Sequence, residues 1–259
     1  MKRQKQKQLL GIAALIIVAA IWQFVAEYIV GRSFILPSVT DVAAAFVNLL
    51  ASGTLLVDIG VSFKHFGIGL LAAIFLGVPI GILMGWFRVA DYLLDPIIEI
   101  LRPVPPLAWI PFAIIWFGLT AGAAGFVIFV GAFFPILTAT YTAFRSVPKV
   151  YVEAGKVLGC DTSFELIRHI ALPSTIPSIA SGIRISMGVG WMCLVAAEMF
   201  GVSRNGLGYQ LWHNYYLHQM PEVVVYMLIL GFAGLIIDHI FRHYVDQRLL
   251  RWHEGEVAS

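Results

Sequence analysis

Apolar residues gather along this chain in long runs, and polar residues punctuate them at a few places. A helix needs about 20 predominantly apolar residues to cross a bilayer, because every backbone polar group there must bond internally. Six runs qualify, at about 9–30, 61–86, 91–117, 122–143, 176–200 and 222–244. Residues 37–56 differ. Pro37-Ser38-Val39-Thr40-Asp41 gives a helix a polar opening, and Asn48 and Ser52 interrupt the apolar positions behind it, so this segment reads as interfacial. The run from Leu9 to Val30 follows a basic N-terminus, yet it is long enough to span and no small-residue cleavage site follows it. It is expected to persist as a first helix.

Composition turns these runs into a class. Of 259 residues, 59% are hydrophobic and 12% charged, and the mean hydropathy is +0.86. A soluble domain is about 45–50% apolar and about 25% charged. The excess excludes an ordinary cytosolic enzyme, a nucleic-acid binder and a disordered chain. An all-α, polytopic membrane protein with about six transmembrane helices is expected. Hydropathy leaves channel, carrier and membrane-embedded enzyme open. The net charge of +2 selects no partner, and Cys160 and Cys193 form neither a disulfide framework nor a metal pair.

Charge placement orients the spans. With the N-terminus in the cytoplasm, six crossings return the C-terminus there. Twelve basic residues then lie inside, among them Lys2, Arg3, Arg88, Arg145, Lys149, Arg168 and Arg248, against Arg32, Lys64 and Arg204 outside. Arg102 and Arg184 fall at membrane depth or near a span end.

Small residues and prolines mark where spans pack or break. Gly77, Gly81 and Gly85 recur every four residues, as do Gly182, Ser186 and Gly190. Such ridges let another backbone approach closely, within one subunit or at a dimer seam. Leu101-Arg102-Pro103-Val104-Pro105-Pro106 breaks the third run, since proline removes a donor and clashes with the preceding turn. Irregular backbone at membrane depth survives only when buried in protein or lining a wet cavity, and transport paths use such breaks. Asp95, Glu99 and Arg102 precede it at helical spacing. They can neutralise one another as a structural ion group, or Arg102 can act as a gate or anion contact. Trp191 and Glu198 lie on a span otherwise rich in small residues, Trp191 as packing or pore contact and Glu198 as a structural pair or gate. Arg102, Pro103, Pro105, Arg184, Trp191 and Glu198 are therefore the candidate translocation-pathway residues. His239 and His243 sit at the solvated end of the last run, and His213, Tyr215, Tyr216 and His218 read as an interfacial aromatic belt.

Residues 145–173, between the fourth and fifth runs, read as helix, turn, helix. Gly159 suits a left-handed stop, Thr162 with Glu165 forms a capping box, and Pro173 is expected to end the second helix. Defined stops and starts suit a docking knob for a cytoplasmic partner.

Glu153-Ala154-Gly155, Gly159 and Ile170-x-Leu172-Pro173 resemble the EAA loop of binding-protein-dependent ABC importer permeases. In that family the loop forms a coupling helix seated in a groove of the ATPase subunit. One departure is visible: Gly155 stands where the motif has its second alanine, which weakens the local helix by about 1 kcal/mol. Leu94-Asp95-Pro96-Ile97-Ile98-Glu99, Leu107-Ala108-Trp109-Ile110-Pro111, Trp116-Phe117-Gly118, Gly182-Ile183-Arg184-Ile185, Val195-Ala196-Ala197-Glu198, Gly206-Leu207-Gly208 and Trp252-His253 resemble the nitrate/sulfonate/taurine branch. Taurine permeases look nearest, and nitrate and bicarbonate permeases share much of the same wording.

The resemblance implies a single type I importer permease domain over 1–259 in a prokaryotic cell membrane. It implies ATPase coupling through Glu153, Ala154, Gly155, Leu158, Gly159, Phe164 and Pro173. A second, identical permease subunit, two cytoplasmic ATPases and an extracytoplasmic binding protein are the implied partners. No G-x-x-x-x-G-K-[ST] is present, so ATP and magnesium are expected on the partner chains and no cofactor on this one. A secondary carrier would show internal repeats, and a membrane enzyme would need a motif such as H-E-x-x-H or G-x-S-x-G; neither is found.

Overall fold

A computed structural model describes residues 2–244. Arg248, Arg251, Trp252 and His253 therefore lie outside the described residues. The described chain is helical: α1 (Lys2–Phe24), α2 (Val39–Ala51), α3 (Thr54–Trp86), α4 (Arg88–Leu101), α5 (Ile110–Phe117), α6 (Ala121–Arg145), α7 (Lys149–Val157), α8 (Ser163–Leu166), α9 (Leu172–Met199), α10 (Leu207–Tyr216) and α11 (Met220–Tyr244). A π-helical turn, Val25–Val30, extends α1, and another, Ile167–Ala171, joins α8 to α9. Among the described residues, five helices are long and apolar enough to cross a membrane, and α4 with the segment Pro106–Phe117 passes the same test as one pair bent by 88°.

The glycine ridge decides how these spans are arranged. A Cβ at Gly69 would lie 2.5 Å from Ile128 Cβ, one at Gly77 3.1 Å from Ile136 Cγ2, one at Gly81 2.7 Å from Thr140 Cβ and one at Gly85 2.5 Å from Phe144 Cβ. The partner number climbs with the glycine number, so α3 and α6 run parallel with their backbones almost touching. Parallel neighbours require the intervening chain to travel back the full length of the bundle. The bent α4–α5 pair therefore counts as one crossing, which makes six. The ridge is a seam within the subunit.

The other contacts run the opposite way. Gly182 meets Ala139 while Gly131 meets Cys193, so α9 lies antiparallel to α6. Trp191 donates to Leu230 O, and Arg184 pairs with Asp238, so α11 lies antiparallel to α9. The core is thus α3, α6, α9 and α11. Helix α2 opens on a Ser38–Asp41 capping box, buries Val42 and Ala45 against Val225, and at 13 residues is too short to span, as its polar punctuation implies.

Pro173 does not end a helix. Residues 163–199 form one continuous 37-residue helix. Proline is tolerated in the first turn of α9, where the widened π turn before it passes Leu172 N–H back to Ile167 O.

Candidate functional site

Helices α6 and α9 and the break after α4 line an open cavity of about 680 Å³. Arg102, Val104 and Pro106 form one wall, α6 contributes positions from Val130 to Ser146, and α9 contributes Ser178, Ser181, Gly182 and Ile185. The cavity runs along some 16 residues of α6, about 24 Å at 1.5 Å per residue, toward the end where α7 begins. Thr138, Thr142 and Ser146 recur every four residues on one stripe, facing the α9 serines. Thr138 donates to Phe134 O and Ser146 to Ala143 O. The hydroxyls of Thr142, Ser178 and Ser181 have no such partner among the described residues. Among the described residues, Arg102 is the one ionised side chain in the lining, and no carboxylate shares it.

Asp95 and Glu99 do not neutralise Arg102: among the described residues no ion pair joins them. Arg102, the C-cap of α4, keeps helical dihedrals (φ −57°, ψ −40°), and its side chain lines the cavity instead of pairing with either carboxylate. A different acid, Asp91, serves the α3–α4 corner. It is buried and receives Arg145 from the last turn of α6, pinning the start of α4 to the end of α6. Pro103 and Pro105 are exposed and shape the bend without lining the cavity.

The other pathway candidates lie elsewhere. Arg184 forms a bidentate pair with Asp238, at 2.7 and 2.9 Å. With Met187, Gly188 and Trp191 it lines a smaller cavity of about 300 Å³ between α9 and α11. Trp191 packs edge-on against Phe66, its indole bonded to Leu230 O at 3.1 Å. Glu198 is wholly buried at the far end of α9. Ser62 Oγ donates to its carboxylate at 2.9 Å, His65 Nδ1 lies 2.9 Å away, and Gly208 N–H donates at 2.9 Å. Beside it Asp58 accepts from Tyr226 and from Gly206 N–H. Asp58, Ser62 and His65 escaped the sequence reading, although polar residues spaced by four and three inside an apolar helix share one stripe, which is a readable signal.

At the opposite end, α7 and α8 form the hairpin that the caps foretell. Gly159 has φ +98°, Cys160 N–H returns to Gly155 O, and Thr162 and Glu165 exchange both bonds of the capping box. Glu153, Ala154, Leu158, Gly159 and Phe164 are exposed, and Pro173 sits half-buried at the base. The tip is apolar, with Val157 and Leu158 87% and 85% exposed beside Tyr151 and Phe164. Exposed apolar side chains on a polar-flanked hairpin are the kind of surface that a partner can cover.

Gly155 is the buried seat of this hairpin. A Cβ there would lie 1.9 Å from Ile170 Cδ1 and 3.1 Å from Leu166 Cδ2. The glycine lets the two arms approach closely, and an alanine there would need the Ile170 side chain to shift. Gly155→Ala is expected to loosen the hairpin despite its better propensity, speeding amide exchange over 149–171. Adding Ile170→Val, which removes the offending methyl, is expected to restore protection; exchange measured by mass spectrometry on both variants checks this.

Comparison with known proteins follows the same lines. Residues 77–251 match the family described as "Binding-protein-dependent transport system inner membrane component". A putative ABC transporter permease of Methanocaldococcus jannaschii is 40% identical, with 90% of this chain and 88% of that protein covered. A putative aliphatic sulfonates transport permease of Bacillus subtilis is 32% identical over 98% of this chain and 91% of that one. The taurine transport system permease of Escherichia coli is 30% identical over 96% and 90%. Among solved structures, a chain from inward-facing conformations of the MetNI methionine ABC transporter superposes with a TM-score of 0.53 at 20% identity, over 72% of this chain and 97% of that one. That likeness concerns the fold alone.

Proposed function

The chain belongs to the family of binding-protein-dependent transport inner membrane components, an ABC importer permease, and on that premise we propose that it carries a small oxyanion, taurine or a related sulfonate, into the cytoplasm. One observation carries the substrate class: among the described residues, the lining of the 680 Å³ cavity has a single cation, Arg102, with the unengaged hydroxyls of Thr142, Ser178 and Ser181, and no carboxylate. A guanidinium offers planar bidentate donors to an oxyanion, and hydroxyls replace its lost hydration. The names of the sulfonate and taurine relatives agree with this chemistry.

The whole chain acts as one permease domain, with two copies forming the path. Its partners are two cytoplasmic ATPases, which hold ATP and magnesium, and an extracytoplasmic binding protein that delivers substrate. The α7–α8 hairpin seats in the ATPase, and closure of the ATPases tilts α9 to open the cavity alternately to each side. Both termini lie in the cytoplasm, in agreement with the basic residues at the hairpin end. This subunit translocates and catalyses no bond-making step; Pro103 and Pro105 hold the bend that presents Arg102, while Arg184, Trp191 and Glu198 brace the spans around the path.

Arg102→Ala tests this reading. A charge-assisted contact is worth about 1.5–3 kcal/mol, so ATP-driven sulfonate uptake by the reconstituted complex is expected to lose roughly ten- to hundredfold in kcat/KM. Arg102→Lys is expected to keep part of it. Uptake compared across taurine, an alkanesulfonate, nitrate and bicarbonate ranks the substrates. Unchanged uptake of all four in Arg102→Ala would remove Arg102 from the path.

A further inference from the structure

The start of α10 is capped by other helices. Three successive backbone N–H groups, those of Gly206, Leu207 and Gly208, donate to Asp58, Ser62 and Glu198, at 3.1, 2.9 and 2.9 Å. The first N–H groups of a helix have no partner within it, and side chains of α3 and α9 supply theirs here. The two carboxylates also lie at the positive end of the α10 dipole, where negative charge is stabilised. Ser62 Oγ links both halves, receiving Leu207 N–H and donating to Glu198.

This junction is fitted closely. Gly206, at φ +129°, would place a Cβ 2.6 Å from the Glu198 carboxyl carbon, and Gly208 would place one 2.6 Å from Val195 O. Asp58 and Glu198 are 1% and 0% exposed. Burying carboxylates is costly unless each is satisfied by donors, so the chain retains this knot against its general apolar trend. Four elements meet in it: α3, α9, α10 and, through Tyr226, α11.

Glu198 sits one residue from the end of the continuous helix that starts at Ser163. That rod is about 55 Å long at 1.5 Å per residue, so one continuous element joins the docking hairpin to the α10 junction. We propose that Glu198 is a positioning residue that latches α10 to this rod, so that α10, on the extracytoplasmic side, moves with the hairpin and reports the state of the ATPases to whatever docks there. The proposal rests on the importer reading above. Coupling of this kind needs an element that both ends can bias, and the continuous helix with its latch supplies the physical link between them.

The test uses the complex of this permease with its ATPases and binding protein in lipid vesicles. The readouts are ATPase co-purification, basal hydrolysis, and the ratio of hydrolysis with loaded binding protein to basal hydrolysis. Glu198→Gln keeps the shape and one acceptor but loses the charge-assisted bonds. Gly206→Ala leaves the carboxylate in place and pushes the α10 start away. In both, co-purification and basal hydrolysis are expected to stay at the unmodified level. The stimulated-to-basal ratio is expected to fall about threefold in Glu198→Gln and about tenfold in Gly206→Ala, from the loss of one strengthened bond and of the whole junction respectively. An unchanged ratio in both overturns the latch. An equal fall in ratio, basal rate and co-purification also overturns it, because that marks general unfolding. If the unmodified chain fails to bring down ATPases, the importer reading falls first, and the two failures are thereby distinguished.

Discussion

Leu158→Asp is expected to sever the permease from its ATPases while leaving its own fold intact. Leu158 is 85% exposed and follows the last turn of α7, so nothing in the subunit relies on its side chain. Surface substitutions of this kind change stability by about 0.5 kcal/mol or less. In a docking groove the same side chain is an apolar anchor beside Val157 and Phe164, and burying an aspartate there leaves a desolvated charge without a partner. Truncating a central anchor costs about 2–4 kcal/mol, which corresponds to roughly thirty- to thousandfold in affinity. Co-purification of the ATPases should be lost and the thermal midpoint of the isolated permease should not move. A variant that keeps both partners and coupled hydrolysis would displace the docking site from this hairpin.

Gly81→Leu is expected to have the largest effect on the fold. At Gly81 even a Cβ would fall 2.7 Å from Thr140 Cβ and 2.9 Å from Leu137 O. One of these is a backbone oxygen of α6 and cannot swing aside, so the helices must separate along the seam. Overpacking of this sort costs about 1–3 kcal/mol and more for a whole isobutyl group, against a total stability of about 5–15 kcal/mol. Gly67→Ala, two residues before Gly69 and so on the opposite side of α3, where a Cβ meets nothing within 4 Å, provides the contrast: it should be neutral or stabilising by up to about 1 kcal/mol. Thermal unfolding in detergent separates the two cases. Equal effects would mean that the seam does not govern stability.

Much of this molecule is written locally, and that part is readable. Long apolar runs locate the spans, three prolines locate the bend, and Gly159 with Thr162 and Glu165 locates the hairpin, because each signal acts within a turn or two. The glycine ridge is readable as a ridge, but not its partner, since the match of Gly81 with Thr140 depends on the parallel path of α6. Pairings across long separations are hidden for the same reason. Asp91 with Arg145, Arg184 with Asp238, and Ser62 with Glu198 are brought together only by packing. Gly155 shows the hazard of local reasoning: as a helix residue it looks like a defect, and against Ile170 it is the only residue that fits without displacement. Pro173 shows another, since a π turn five residues long absorbs what looks like a stop.

The central claim is that this chain moves a sulfonate-like oxyanion when partner ATPases act through the α7–α8 hairpin. It is tested most directly by uptake of radiolabelled taurine into vesicles holding the permease, its ATPases and the binding protein. The account predicts accumulation that requires both ATP and binding protein, is retained without any ion gradient, and is abolished by Leu158→Asp. Accumulation driven by an ion gradient with this chain alone, and indifferent to ATP and to Leu158→Asp, would contradict it.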